Sequence, residues 1–178
     1  MPSFGTVSDL ATHLRTDLSA EDTATATQAL ELATAFIKAY TGQDIEVVDN
    51  RVQVFRAKDT RTLVLDQIPV RAVDSVTVDT VAFTDFDVDL PSGIITRNDY
   101  LGAVSWTAFE KVQVTYDSGY VTIPVALKSI CLQMAARSMS APTAWASESI
   151  GNYSRASARD SEGGLTMAER RVLDRFRP

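Results

Sequence analysis

The spacing of apolar residues changes twice along this chain, and this change limits the folds that the chain can adopt. Over the first forty residues the apolar positions recur every three or four residues, which is typical of a helix. From about residue 46 they alternate with polar ones, as Val52 and Val54 do on either side of Gln53, which is typical of a half-buried strand. After Pro124 the helical spacing returns. The sequence therefore predicts an α+β fold in which a sheet is inserted between helices.

Capping residues set the ends of the predicted helices. Ser19 and Asp22 have the spacing of a capping box, and Gly42 is suited to end the helix that follows them. The predicted helices cover about 7–15, 20–41 and 123–140, and five or six short, mostly antiparallel strands lie within 47–119. Because the second and third helices each have an apolar stripe, we expect them to pack together as a small helical bundle.

The end of the chain differs from the rest in composition. The stretch from 141 to 164 is rich in Ser, Ala and Gly and has no apolar period, which predicts an extended arm. Thr166 and Glu169 then have capping-box spacing, which predicts a last helix of about 166–177. We therefore divide the chain into a body, 1–141, and a C-terminal arm, 142–178.

The arm supplies the residues that we predict to contact a partner protein. A helix as short as its last one is marginal by itself in water, so it should form against another surface. Lone aromatic side chains in a polar linker are suited to anchoring at an interface. The predicted interface residues are Trp145, Tyr153, Leu165, Arg170, Arg171, Val172, Leu173, Arg175 and Phe176.

Charge is distributed unevenly over the 178 residues, whose formal net charge is −6. Residues 1–50 have a net charge of −6, residues 51–150 a net charge of −2, and residues 151–178 a net charge of +2. An acidic body argues against affinity for nucleic acid, because phosphate contacts need clustered Lys and Arg. No apolar run approaches the length of a membrane-spanning helix, so we expect no membrane partner.

The sequence offers little to support catalysis or a cofactor. Cys131 is the single cysteine and lies on the apolar stripe of a helix, where a buried, inert thiol is expected. His13 is the single histidine, which makes a catalytic triad or a multi-histidine metal site hard to build. There is no glycine-rich phosphate loop and no zinc-protease motif. We predict a protein that is not an enzyme and binds no cofactor.

Three aspartates form the strongest chemical pattern, and we read it as a weak candidate for a cation site. Asp85, Asp87 and Asp89 fall on one face of a predicted strand because side chains alternate along a strand. A calcium loop would need Gly and Glu where Leu90 and Thr96 stand. The favoured interpretation is a solvated strand face opposite an apolar one.

The order of the elements resembles a known family. The segments that carry the resemblance are LVLDQIPVRAVDSVTV from Leu63 to Val78, VTYDSGYVTIPVAL from Val114 to Leu127, and ESIGNYS from Glu148 to Ser154. Together with the two helices before them and the basic helix after them, they resemble the head–tail connector, or adaptor, proteins of long-tailed bacteriophages. The resemblance covers about residues 20–155.

The resemblance implies a structural role in a virion. Such adaptors form a homo-oligomeric ring, typically twelve-fold, that binds the portal protein and presents a surface to the next neck or tail component. Genomic DNA passes through the ring without sequence-specific binding. The implied location is the neck at the capsid vertex, and the host cytoplasm during assembly.

Two other functions stay open at this point. The chain could be a small non-enzymatic α+β domain that recruits a partner through its C-terminal arm. It could instead be a hydrolase whose site is built on the strand that carries Asp85, Asp87 and Asp89. Assembly into rings separates the adaptor from the binding domain, and an activity lost in the Asp87→Asn variant would identify the hydrolase.

Overall fold

The computed structural model describes residues 3–99, 102–140, 147–150, 153–156 and 165–177, with the backbone alone for 147–150 and 153–156. The fold is mixed α+β, as the sequence predicts. The chain forms two compact units. The helical unit is built from both ends of the chain, Met1–Thr41 and Ile123–Arg177, and the β unit is Gly42–Thr122. The β unit is therefore inserted into the helical unit in sequence.

Four α-helices form the helical unit within the described residues. They are α1 (Val7–Leu14), α2 (Ala20–Thr41), α3 (Val125–Ser140) and α4 (Met167–Leu173), and a 3-10 turn over Asp174–Phe176 follows the last. The start of α1 is fixed by a capping box between Thr6 and Asp9, and its end by Arg15 in the left-handed conformation. Predicted and observed helix limits agree to within two residues for the first three helices.

Helices α2 and α3 pack together along their apolar stripes, and α1 packs on both. The fully buried side chains at this contact include Leu10, Leu30, Ile37, Leu127 and Cys131. Burial of large aliphatic side chains such as these contributes about 1.5–3 kcal/mol each. The expected pairing of these two helices is therefore present.

The β unit contains eight strands within the described residues: β1 (Val48–Arg56), β2 (Thr62–Val64), β3 (Val70–Val78), β4 (Val81–Phe83), β5 (Phe86–Asp89), β6 (Ile94–Asp99), β7 (Gly102–Val104) and β8 (Lys111–Ser118). The first sheet has the order β1-β8-β3-β4 and the second the order β2-β6-β5, with β7 also paired to β6. All of these pairings are antiparallel.

The prediction of one sheet with five or six strands is wrong in number. Three of the eight strands, β2, β4 and β7, have only three residues each. A three-residue strand is too short to show an alternating pattern, so it cannot be recognised from the sequence. Strands of both sheets share one core, whose buried members include Leu65, Val76, Ile95, Trp106 and Tyr116.

The turn that ends β8 depends on Gly119. Its φ of +95° lies in a region that residues with a side chain rarely adopt. A Cβ atom added to Gly119 would overlap the backbone carbonyl of Glu46. Gly119 also donates its N–H to the Pro69 carbonyl at 3.0 Å, so the backbone is held on both sides.

A hairpin occupies part of the segment that was expected to be an extended arm. Strands β9 (Ser147–Ile150) and β10 (Tyr153–Ala156) pair antiparallel, with Tyr153 opposite Ile150. The sequence signal for it is short, since the dipeptide Gly-Asn at 151–152 is of the type found in two-residue hairpin connections. Because Ile150 and Tyr153 are the only large apolar or aromatic residues in the two strands, no apolar alternation marks them in the sequence.

Candidate assembly surfaces

The terminal helix α4 lies on the chain's own helical unit. Thr166 caps it through the predicted capping box with Glu169. Leu165 and Leu173 are 1% and 0% exposed, and α4 contacts both α2 and α3. The apolar face of the helix is thus covered by the chain itself.

A buried carboxylate ties α4 to α3. Glu169 is 5% exposed, and Arg137 donates to both of its oxygens, from Nη1 to Oε1 at 2.8 Å and from Nη2 to Oε2 at 3.1 Å. The backbone N–H of Thr166 donates to Oε2 at 2.7 Å. Burial raises the pKa of Glu169, but the hydrogen bonds from Arg137 and Thr166 outweigh it, and the net pKa is lowered. The charged form of Glu169 therefore stabilises this contact.

A second tie joins the 3-10 turn to α2. The hydroxyl of Tyr40 donates to Oδ1 of Asp174 at 2.9 Å, and this hydrogen bond raises the pKa of Tyr40. The guanidinium of Arg177 lies 5.7 Å from the centre of the Tyr40 ring, which is a cation–π distance. The end of the described chain is thus bonded to the end of α2.

The terminal helix was expected to lie apart from the body, but in the structure it packs on the helical unit of its own chain. A short helix does form by burying one face, as predicted, but it buries that face on α2 and α3 of the same chain. Composition could not show this, because a polar linker permits the helix after it to return to the body as readily as to leave it. In this conformation Leu165 and Leu173 are not available to a partner.

We expect Glu169→Gln to lower the free energy of unfolding by about 1–3 kcal/mol at neutral pH, since the hydrogen bonds to a charged group are weakened. The pKa of Glu169 is lower in the folded protein than its ordinary value of 4.5. The stabilisation is therefore present above that value and is lost as the pH falls through the lowered folded pKa. Thermal unfolding of both chains across the acid range checks this, with the exposed Glu21→Gln as control. A difference that stays constant down to strongly acidic pH would contradict the assignment.

The other predicted interface residues have different environments. Arg171 and Arg175 are exposed, while Arg170, Val172 and Phe176 are half-buried. Trp145 lies outside the described residues, and Tyr153 lies in β10, where the side chain is not described. Their contact with a partner stays a prediction.

The aspartate pattern lies on an edge strand. Asp87 and Asp89 are exposed on β5, with Asp85 just before it, while Phe86 and Val88 are packed against the core of the β unit. Asn98 donates to the carboxylate of Asp87, and Ser92 donates to that of Asp89. Within the described residues, no three His, Cys, Asp or Glu side chains form a group that could hold a metal ion.

Neither Cys131 nor His13 has surroundings suited to catalysis. The thiol of Cys131 is buried and lies 3.5 Å from the hydroxyl of Thr34, and burial raises its pKa. A raised pKa keeps the thiol protonated and a poor nucleophile. His13 is exposed in the last turn of α1, where a positive imidazole would favour the helix end.

Four basic side chains lie at one end of the β unit, and none of them was predicted from the sequence to be functional. Arg56, Lys58, Arg61 and Lys111 are exposed, and none has an ion-pair partner in the part of the chain that the structure describes. In contrast, Arg51, Arg71 and Arg97 of the same unit are each paired with a carboxylate. We call Arg56, Lys58, Arg61, Lys111 and the neighbouring Phe109 the basic tip.

Backbone hydrogen bonds hold the loops of the basic tip together. Ala57 donates to the Glu110 carbonyl at 2.9 Å, and Phe109 donates to the Ala57 carbonyl at 2.9 Å. Trp106 donates to the Thr60 carbonyl at 2.8 Å. Glu110 also pairs with Arg97 at 2.9 Å. These bonds join the loops of the tip to each other and to β6.

The sequence does contain a signal for the basic tip. The stretch RVQVFRAKDTR, residues 51–61, has four basic residues and one acidic residue in an otherwise acidic chain. Charge counted over residues 51–150 averages this stretch with the aspartates that follow it. A shorter window would have marked it as a basic region.

Solved structures resemble this arrangement over nearly the whole chain. A chain in the neck of an empty gene transfer agent particle is 19% identical, with 96% of this chain and 88% of that chain covered and a TM-score of 0.57. A chain of the native virion of such a particle gives the same values. The neck of a native particle, computed with C12 symmetry, contains a chain that is 16% identical with a TM-score of 0.52. The fold is that of a particle-neck chain.

The remaining comparisons add no second fold. No family model matches this chain, and no curated protein matches its sequence. Within the described residues, none of the helices has the length and apolar character needed to span a bilayer. The neck-chain fold thus includes both units, since the similarity covers 96% of the chain.

Proposed function

We propose that this protein is the head–tail adaptor of a tailed phage or phage-like particle, a structural component that joins the portal to the neck or tail and extends the DNA channel. The observation that carries the proposal is the similarity to neck chains over 96% of this chain and 88% of theirs. A similarity of this extent includes the inserted β unit and the terminal helix as well as the helical bundle. The proposed location is the virion neck, after synthesis in the host cytoplasm.

The proposed working form is a ring. The solved necks were computed with C6 and C12 symmetry, which supports a ring whose subunit number is a multiple of six. Size-exclusion chromatography with light scattering, followed by electron microscopy of the purified protein alone and with its portal, tests this. The adaptor should form rings by itself or on the portal. A protein that stays monomeric under both conditions would favour the small binding domain that recruits a partner through its arm.

In this proposal the chain acts by assembly and has no catalytic step. The hydrolase alternative requires the carboxylates of β5 to act on a substrate, and these side chains are solvated on an edge strand. An activity of the purified protein that disappears in Asp87→Asn would support the hydrolase and contradict the adaptor.

We predict that the assembled ring binds duplex DNA weakly. The body of the chain is acidic, and like charge opposes adhesion of a polyanion that must slide past. Fluorescence anisotropy with labelled duplex at physiological salt measures the affinity of the ring. Submicromolar binding would contradict the proposal that the lumen is a passive conduit.

We also propose that the C-terminal region attaches to the portal or to a neighbouring subunit. Arg171 is exposed on α4 and Arg175 on the 3-10 turn after it, and Leu165 and Leu173 hold that helix in place. The double variant R171E/R175E should fold normally and lose attachment to portal-containing capsids, because acidic groups on the partner would then be repelled. Truncation after Ala141 should also lose attachment, and circular dichroism must show that it folds, because it uncovers the surface of α2 and α3 on which Leu165 and Leu173 are buried. Attachment at the wild-type level in both variants would show that the region has no role in it.

A further inference from the structure

The basic tip contains two features that cost the isolated chain stability. Arg56 and Lys111 are directly opposite each other on β1 and β8, and like charges at such positions repel. Phe109 has a φ of +73° and is 87% exposed. A bulky residue in the left-handed region has a strained backbone, and an apolar ring exposed to water contributes no burial energy. Within the described residues no carboxylate forms an ion pair with Arg56 or Lys111, although the Asp79 carboxylate accepts the backbone N–H of Lys111 at 3.0 Å.

The same β unit has an acidic surface that could receive such a tip. Strand β5 is an edge of the second sheet, and its carboxylates, Asp87 and Asp89, are exposed with Asp85 before them. Alternate residues of a strand are about 7 Å apart, which places these carboxylates in a row. Leu90 follows Asp89 and is 39% exposed. Among the described residues, no ion pair joins this strand to the basic tip of the same chain.

We propose that the basic tip of one copy docks on β5 of the next copy in the ring. Arg56 and Lys111 lie against Asp87 and Asp89, and Phe109 packs on Leu90. This contact rests on the proposed ring, because two different surfaces that pair head to tail close into a ring when the rotation allows it. The opposite charges attract, and the exposed aromatic ring and the leucine bury each other.

Nucleic acid is the less suitable occupant of the basic tip. A duplex presents phosphates to the four cations but offers no apolar surface for Phe109 on its outside. Aromatic and arginine side chains together are typical of the centre of a protein interface. The basic tip is therefore assigned to a protein contact, and nucleic-acid binding is measured as one outcome of the test.

Charge reversal on each side tests the contact. The tip variant R56E/K111E keeps a like-charge pair across β1 and β8, and its thermal unfolding is measured beside its association because the new carboxylate at position 111 would lie near that of Asp79. The strand variant D87K/D89K reverses the other surface. Each variant alone should associate at least about tenfold more weakly than wild type, because like charges then face each other. The exposed acids Asp17 and Asp74 supply the control, D17K/D74K, which changes as many charges and should leave association unaltered.

Mixing the two variants gives the sharper measurement. The reversed tip matches the reversed strand, and the wild-type tip matches the wild-type strand, so the variants should assemble only together. Native mass spectrometry should then show rings in which the two chains alternate, with an even number of subunits. A chain that carries all four reversals should also assemble by itself.

Phe109→Gly separates a structural role from an interface role. Glycine adopts a positive φ without strain, so this variant should unfold at the same temperature as wild type or higher. It should nevertheless associate more weakly, because the apolar anchor is gone. If Phe109 served only the fold of the turn, its replacement would not weaken association while the unfolding temperature stayed the same or rose.

The outcomes distinguish this contact from the ring itself. Rings that form normally in both reversal variants overturn the contact and leave the adaptor function intact. A wild-type chain that forms no ring alone or on its portal overturns both. A tip variant that assembles normally but loses binding to a labelled DNA duplex overturns the protein contact and assigns the basic tip to nucleic acid.

Discussion

Gly119→Ala is expected to lower the free energy of unfolding by about 4 kcal/mol or more, a loss that few single substitutions reach. The added Cβ would overlap the Glu46 carbonyl, which is backbone and cannot move aside as a flexible side chain would. The positive φ of Gly119 adds its own strain. Chemical denaturation measures the change, provided that the variant is soluble.

Gly42→Ala is the matched control for this prediction. Gly42 also has a positive φ, +68°, but a Cβ there would meet nothing within 4 Å. Its substitution should cost only the backbone strain, about 1–2 kcal/mol. Equal losses at Gly119 and Gly42 would show that the overlap with Glu46 is relieved at little cost.

Leu127→Ala is expected to cost about 2–5 kcal/mol, because it leaves a cavity between α3 and α2. Leu127 is fully buried, whereas Phe36, on the apolar stripe of α2, is half-buried. Phe36→Ala should therefore cost less than Leu127→Ala. Leu32, which is 68% exposed on α2, supplies the control, and Leu32→Ala should change stability by less than about 0.5 kcal/mol. Urea denaturation of the three variants checks the order, and a loss at Leu127 no larger than at Leu32 would contradict the packing of these helices.

The helices were predictable because their signals are local. The capping box at Ser19 and Asp22 and the glycine at 42 mark both ends of α2, and the structure has it from Ala20 to Thr41. Residues three or four apart report a helix without reference to any distant part of the chain. The pairing of α2 with α3 followed from the same stripes, since only apolar faces of this size need a partner.

The second sheet and the fate of the terminal helix were not predictable in this way. Strands β2 and β7 are three residues long, and each is a strand because it pairs with part of β6. Whether α4 leaves the body or returns to it depends on Arg137, which lies 32 residues before its partner Glu169. Contacts of this range leave no periodic trace in the sequence.

The candidate assembly surfaces were predictable only in part. The alternation of Asp85, Asp87 and Asp89 with apolar residues is visible in the sequence, and so is the exposed row that it produces. The basic tip is different, because Lys111 is far in sequence from Arg56 and reaches it through the pairing of β8 with β1. The pairing register of β1 and β8 places Arg56 opposite Lys111, and this register cannot be read without the fold.

The insertion of the β unit into the helical unit has a consequence for how the chain folds. Residues at the two ends of the β unit are joined by backbone bonds, with Tyr120 donating to the Ile45 carbonyl at 2.8 Å and a bridge between Glu46 and Tyr120. Once it has folded, the β unit therefore acts as a short loop between α2 and α3. Replacing a flexible connection of this length by a short one saves about 2–3 kcal/mol of loop-closure entropy. Because the β unit is synthesised before α3, we expect the two helices to pair with their ends already close together.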